Sequence, residues 1–151
     1  MTSPTASIPW QGFDHVALAT PDLEATLHFY SEVLGIQAGE IYEAGGGKTR
    51  HCFIKPGNTF AQGLHFWEAP GAPLPPPIES LEWQKPETIT AGMFLHLAFA
   101  LPDETAGLAL HERLSQYHVQ MGEINDLGSL RSMVFLDNNG VMLEAIWRRA
   151  V

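Results

Sequence analysis

Two stretches decide the fold of this chain: FDHVALATPD, residues 13–22, and FLHLAFALPD, residues 94–103. Phe13, His15, Ala17, Ala19, Pro21 and Asp22 recur at one constant offset as Phe94, His96, Ala98, Ala100, Pro102 and Asp103. Each stretch reads as an apolar strand that passes through Pro-Asp into a helix. A buried strand alone gives no reason for an ionisable ring to recur in register with its neighbours. The recurrence marks a duplicated unit.

Working outward, Asp22 is a natural N-cap for DLEATLHFYSEVLG, residues 22–35, in which Leu23, Leu27, Tyr30 and Leu34 share one helical face and Gly35 ends the helix. Asp103 caps the second helix, ETAGLALHERLSQYH, with Leu110, Leu114 and Tyr117 as its stripe. Three strand-like segments follow each helix: 36–43, 48–55 and 60–68, then 119–125, 130–136 and 141–148. Gly45-Gly46-Gly47 suits a hairpin that needs positive φ, and Asp137-Asn138-Asn139-Gly140 is strong hairpin chemistry. The pattern is βαβββ twice, an α+β fold. Residues 1–9 read as a loose tail, 10–68 as module one, 69–92 as a Pro-rich linker and 93–151 as module two, within a single domain. The linker's six prolines make it stiff, suited to wrapping the outside, covering a cavity or reaching a partner subunit.

Composition narrows the function. With 45% hydrophobic and 17% charged residues, the 151-residue chain is an ordinary globule. A net charge of −9 and only eight scattered Lys and Arg argue against nucleic acid and against anionic membranes. No apolar run approaches a membrane span and MTSPTASIP lacks the charge and apolar core of a secretory signal, so the expected compartment is the cytoplasm. Cys52, the single cysteine, forms no intrachain disulfide and reads as a small buried hydrophobe.

Strand alternation places His15, Ala17 and Ala19 on one face of the first strand and His96, Ala98 and Ala100 on one face of its twin. The opposite faces are large and aliphatic and suit the helix. The histidine faces suit a concavity. Near the end of module one stands His65, in GLHFW, and near the end of module two Glu144, in MLEAI; each is polar within an apolar strand. A lone strand histidine is most often a hydrogen-bonded core residue. Two in register, with two more polar residues at nearly equal spacing, point instead to a metal site: His15, His65, His96 and Glu144 form a set suited to a divalent transition metal. A buried Glu144 needs a partner, and Arg50 or Arg131 is an alternative to the metal. Trp67, Phe94, Met133 and Met142 are candidate cavity walls. His28, His51, His111 and His118 read as surface or helix residues without a role, and Glu68 as pointing away from the cavity.

The repeated units, together with FDHVALATPDLEATLHFYSEVLG, FLHLAFALPD and SLRSMVFLDNNGVMLEAIW, resemble the vicinal oxygen chelate superfamily over about residues 10–148. That group holds glyoxalase I, methylmalonyl-CoA epimerase, fosfomycin-resistance enzymes, extradiol dioxygenases and metal-free bleomycin-binding proteins. The resemblance implies a curved mixed sheet around a central cavity. It implies ligands on the first and last strands of each unit, matching His15, His65, His96 and Glu144, and a cofactor such as Zn, Ni, Fe, Co or Mn. Glyoxalase I usually has a carboxylate where this chain has His65, and the epimerases tend to have an amide. The dioxygenases use two histidines and one carboxylate, matching His15, His96 and Glu144. The resemblance implies a metal-dependent lyase, isomerase or epimerase acting on a small substrate with adjacent oxygens, with Glu144 as general base. The alternatives are an Fe(II) extradiol-type dioxygenase and a non-catalytic small-molecule binder. It further implies a homodimer, with the metal cavity closed either within one chain or across two.

Overall fold

The computed structural model describes residues 8–58 and 62–150. Most of the expected tail, and the first residues of the segment expected at 60–68, lie outside these. Module one runs β1 (His15–Thr20), α1 (Leu23–His28), β2 (Gln37–Ala44), β3 (Thr49–Lys55) and β4 (Gly63–Glu68). Module two runs β5 (Leu97–Ala100), α2 (Glu104–Gln116), β6 (Asn125–Asp126), β7 (Leu130–Leu136) and β8 (Met142–Arg148). Each module makes a four-stranded mixed sheet, ordered β1-β4-β3-β2 and β5-β8-β7-β6, with β1 parallel to β4 and β5 parallel to β8. The duplication seen in the sequence is thus a duplication of topology.

Both helices start where their aspartates place them. Asp22 accepts from the Ala25 amide and Asp103 from the Ala106 amide, each at 2.9 Å. The first helix then departs from the expected stripe. After His28 it widens into a π-turn, Phe29–Val33, closed by the bond from the Leu34 amide to the Phe29 carbonyl. The wider turn lets Phe29, Tyr30 and Val33 all be buried, while Leu27 and Leu34 are only half-buried. The strand expected at 119–125 also shrinks, to one bridge between Met121 and Phe135 and the two residues of β6. Its polar sequence, QMGEIN, offers few β-branched or aromatic side chains to pack.

The two helix-side faces share one core. Leu23, Tyr30, Ile54, Leu64 and Phe66 from module one join Leu114, Met133, Phe135, Leu143 and Trp147 from module two. Cys52 lies there too, with burial pushing its thiol up to about 11. A polar clasp stitches the seam. Tyr30 donates to Asp137 at 2.9 Å, and Asp137 also accepts from the amides of Asn139 and Val141. The neighbouring Asn138 and Asn139 amides donate to Thr26. Asp137 is 6% exposed. Tyr30→Phe therefore removes a donor from a buried carboxyl, and a loss of about 2 kcal/mol is expected in chemical denaturation. A loss below a few tenths would mean that the clasp contributes nothing to docking of the modules.

Candidate metal centre

Register decides where each polar strand residue points. In module one, Ala17, His65 and Phe53 form one cross-strand row. In module two the matching row is Ala98, Glu144 and Val134. Glu144 thus stands where His65 stands in the repeat. His15 opens β1, and His96 immediately precedes β5. All four lie on the faces turned from the helices.

The four come together as two pairs. The His15 and His65 rings lie edge to face with centroids 5.3 Å apart. His96 Nε2 lies 3.1 Å from Glu144 Oε2. The pairs do not meet within the chain, for a reason built into the packing. Leu64 and Phe66 flank His65, and Leu143 and Ala145 flank Glu144; all four flanking residues belong to the shared core. By alternation His65 and Glu144 point away from that core, and so away from each other. Among the described residues no three His, Cys, Asp or Glu side chains are placed to hold one ion.

Each pair is chemically uneven. The Asp14 carboxylate sits 2.7 Å from His15 Nδ1, which fixes the proton there and leaves Nε2 free. His65 is 7% exposed, and Phe53 stacks on it at 4.1 Å. Desolvation, with His51 and His15 nearby, holds its pKa below the ordinary histidine value, so it is neutral at pH 7. Trp67 donates to its Nδ1 at 3.2 Å, and an indole N–H only donates. The ring proton therefore lies on Nε2, which donates to His51 Nδ1 at 2.9 Å. Glu144 is 8% exposed. Neither arginine considered for it pairs with it: Arg50 binds Glu24 and Glu68, and Arg131 binds Glu104. Buried His96 Nδ1 has no hydrogen-bond partner.

The expected cavity walls divide. Trp67 lies on the open face of module one, stacked on His51 at 4.5 Å. Phe94 and Met142 line a cavity of about 520 Å³ beside module two. Met133 does not reach it. Paired with Ala145 on the helix side of β7, it is fully buried in the core. Glu68 points to the helix side as expected, bound to Arg50 and to the Leu23 amide. His51 is the main omission: with Arg50, Cys52 and Ile54 on the helix side, alternation puts His51 and Phe53 on the site side. The signal lies in RHCFI itself, since a core Cys52 sets the phase of its strand. Asp14 was missed because an exposed Asp beside a histidine has no periodic signature.

A family model described as the Glyoxalase/Bleomycin resistance protein/Dioxygenase superfamily matches residues 12–145. The chain belongs to that superfamily. Mitochondrial methylmalonyl-CoA epimerase of Mus musculus is 40% identical over 52 residues, which is 34% of this chain and 29% of that protein. The match thus spans less than a third of that relative's length. A glyoxylase/bleomycin resistance protein/dioxygenase domain from Frankia sp. EAN1pec superposes with a TM-score of 0.67 at 22% identity, covering 93% of each chain. The fosfomycin resistance protein FosX of Listeria monocytogenes, in a mutant form complexed with Mn(II) and a dihydroxypropylphosphonic acid, superposes with a TM-score of 0.61 at 17% identity. The overlap covers 90% of this chain and 91% of that one. At these identities the solved superfamily structures show a common fold. No helix among the described residues is long and apolar enough to cross a membrane.

Proposed function

We propose that this chain is a metal-dependent enzyme of glyoxalase type, a lyase, isomerase or epimerase. Its site is assembled from His15 and His65 of one copy and His96 and Glu144 of a second copy in a homodimer. The observation that carries this reading is Glu144: a buried carboxylate with no Lys or Arg partner among the described residues, set against a histidine that has one ring nitrogen unused. Such a group is costly unless something cationic arrives. Three imidazoles and a carboxylate fit a divalent ion of the Zn, Ni, Fe, Co or Mn kind. When bound, the ion would supply Lewis-acid polarisation of two adjacent oxygens on a small substrate. Asp14 holds His15 in the ligating tautomer, and Glu144 is the group placed to accept a substrate proton.

The pairs' opposed directions support the homodimer, since a second copy would supply what each face lacks. Exposed apolar side chains gather at the same places: Phe13 at 91% and Trp10 at 84% precede β1, and Phe94 at 52% precedes β5.

One observation favours a second reading. With Trp67 on Nδ1 and its proton shared with His51, His65 has no free nitrogen. His15, His96 and Glu144 alone form the two-histidine, one-carboxylate set of Fe(II) oxygenases, so an extradiol-type dioxygenase is the alternative. Oxygen uptake with catechols under Fe(II) separates the two readings.

Glu144→Gln tests the proposal. In metal-free protein the change removes a buried charge, and stability is expected to hold or rise by roughly 1 kcal/mol. Metal content by elemental analysis is expected to fall to background. A variant that is destabilised yet keeps its metal would make Glu144 a structural residue.

A further inference from the structure

The Pro-rich segment 69–92 does not simply join the modules. Its middle part lies along module two as a strap. Gln120 donates to the Ile78 carbonyl at 2.8 Å, Leu81 is buried, and Gln84 donates to the Leu95 carbonyl at 3.0 Å. Between strap and sheet lies the cavity of about 520 Å³, within the roughly 300–1,000 Å³ usual for small-molecule sites. Pro76, Leu81, Trp83, Phe94, Val141 and Met142 are among its apolar walls. Two of its walls, Trp83 and Met142, adjoin the His96–Glu144 pair. The Trp83 ring stands edge-on to His96, centroids 5.1 Å apart, and Met142 lies on the same face of β8 as Glu144, one pleat away. Trp83 is 41% exposed, so it is not consumed by packing.

We propose that the cavity under the strap holds an apolar, ring-sized substituent of the substrate, and that Trp83 is the residue that selects for it. The inference rests on the reading of His96 and Glu144 as ligands of the ion that meets the substrate's adjacent oxygens. A ligand whose oxygens lie at that pair has two directions for its remaining atoms: toward the second copy, or along Trp83 into the cavity. The cavity walls beside His96 include aromatic, aliphatic and thioether groups, which reward a flat apolar body. Lys85 and Glu82 also line the cavity, on the strap that carries Trp83.

Mandelate and lactate share the same pair of adjacent oxygens and differ in a phenyl ring against a methyl, so the ratio of their affinities isolates the cavity. In calorimetry on full-length protein loaded with Zn(II) or Ni(II), mandelate is expected to bind roughly tenfold tighter than lactate. Trp83→Ala is expected to bring that ratio to near one, and Trp83→Phe to restore most of the preference. A wild-type ratio near one, a ratio unchanged in Trp83→Ala, or a protein that binds neither acid overturns the inference. Failure of the underlying metal reading appears separately, as a wild-type protein that takes up no metal. The mandelate preference is then measured on the metal-free chain by ligand-detected NMR, and its absence there overturns the cavity assignment as well.

Discussion

Replacing His96 with alanine lowers the affinity for divalent metal by more than about 100-fold, while the circular dichroism spectrum and the cooperative unfolding transition stay close to those of the parent. The lower bound comes from magnitude. Loss of a group that merely orients a ligand weakens metal sites by about 10–100-fold, and loss of a ligand costs more. The fold is spared because of where His96 sits. It precedes β5, outside the ladder, and its Nδ1 makes no hydrogen bond that the variant would break. Its one close polar neighbour is Glu144. Removing the imidazole leaves that carboxylate less compensated, so the variant is expected to be slightly less stable than Glu144→Gln. Metal titration followed by inductively coupled plasma analysis reads the first effect, and urea denaturation the second. Full retention of metal would remove His96 from the site.

Two inactive proteins, once mixed, are expected to regain one metal site in each mixed dimer. The first carries His15→Ala and His65→Ala, the second His96→Ala and Glu144→Ala. Each alone is expected to hold no metal, because every site in its homodimer lacks two donors. After subunit exchange through mild denaturant, a mixed dimer joins the intact module one of the second protein to the intact module two of the first. One complete site forms per mixed dimer and the other is doubly deficient. The shared core turns His65 and Glu144 outward on opposite modules, so no small side-chain motion unites them within one chain. Closure inside a single chain would instead require the core of Phe66, Leu143 and Trp147 to open, at a cost of many kcal/mol of apolar burial. Recovery of metal in the mixture supports the exchanged arrangement. No recovery, in mixed dimers verified by mass spectrometry, would overturn it.

The duplication was legible because its markers are local. Pro-Asp before each helix sets a cap that needs only three residues, and both caps form. Period-two alternation in β1, β4, β5 and β8 is a backbone property, so the faces of His15, His65, His96 and Glu144 followed from it without knowledge of neighbours. The same rule carried β7 as a strand, but Met133 was placed on the wrong side because its own segment, SLRSMVFLD, is apolar on both faces and gives no phase. The π-turn was hidden for a related reason: Phe29 and Tyr30 are adjacent, and only the demand of two modules for both rings widens the helix there. His51 was assigned no role since nothing in a single strand says that three imidazoles from β1, β3 and β4 will cluster.

By itself the sequence determined two βαβββ units, their caps, and which strand residues share a face, since all of these rest on interactions within a few residues or on the pleat. Only the tertiary structure decided that the helix sides fuse into one core, that the strap lies beside His96, and that the His15–His65 and His96–Glu144 pairs face apart. Those depend on which apolar surfaces meet, and burial has no direction along the chain: the same stripe of Leu, Phe and Trp serves equally well to pack a module against its neighbour in one chain or in another.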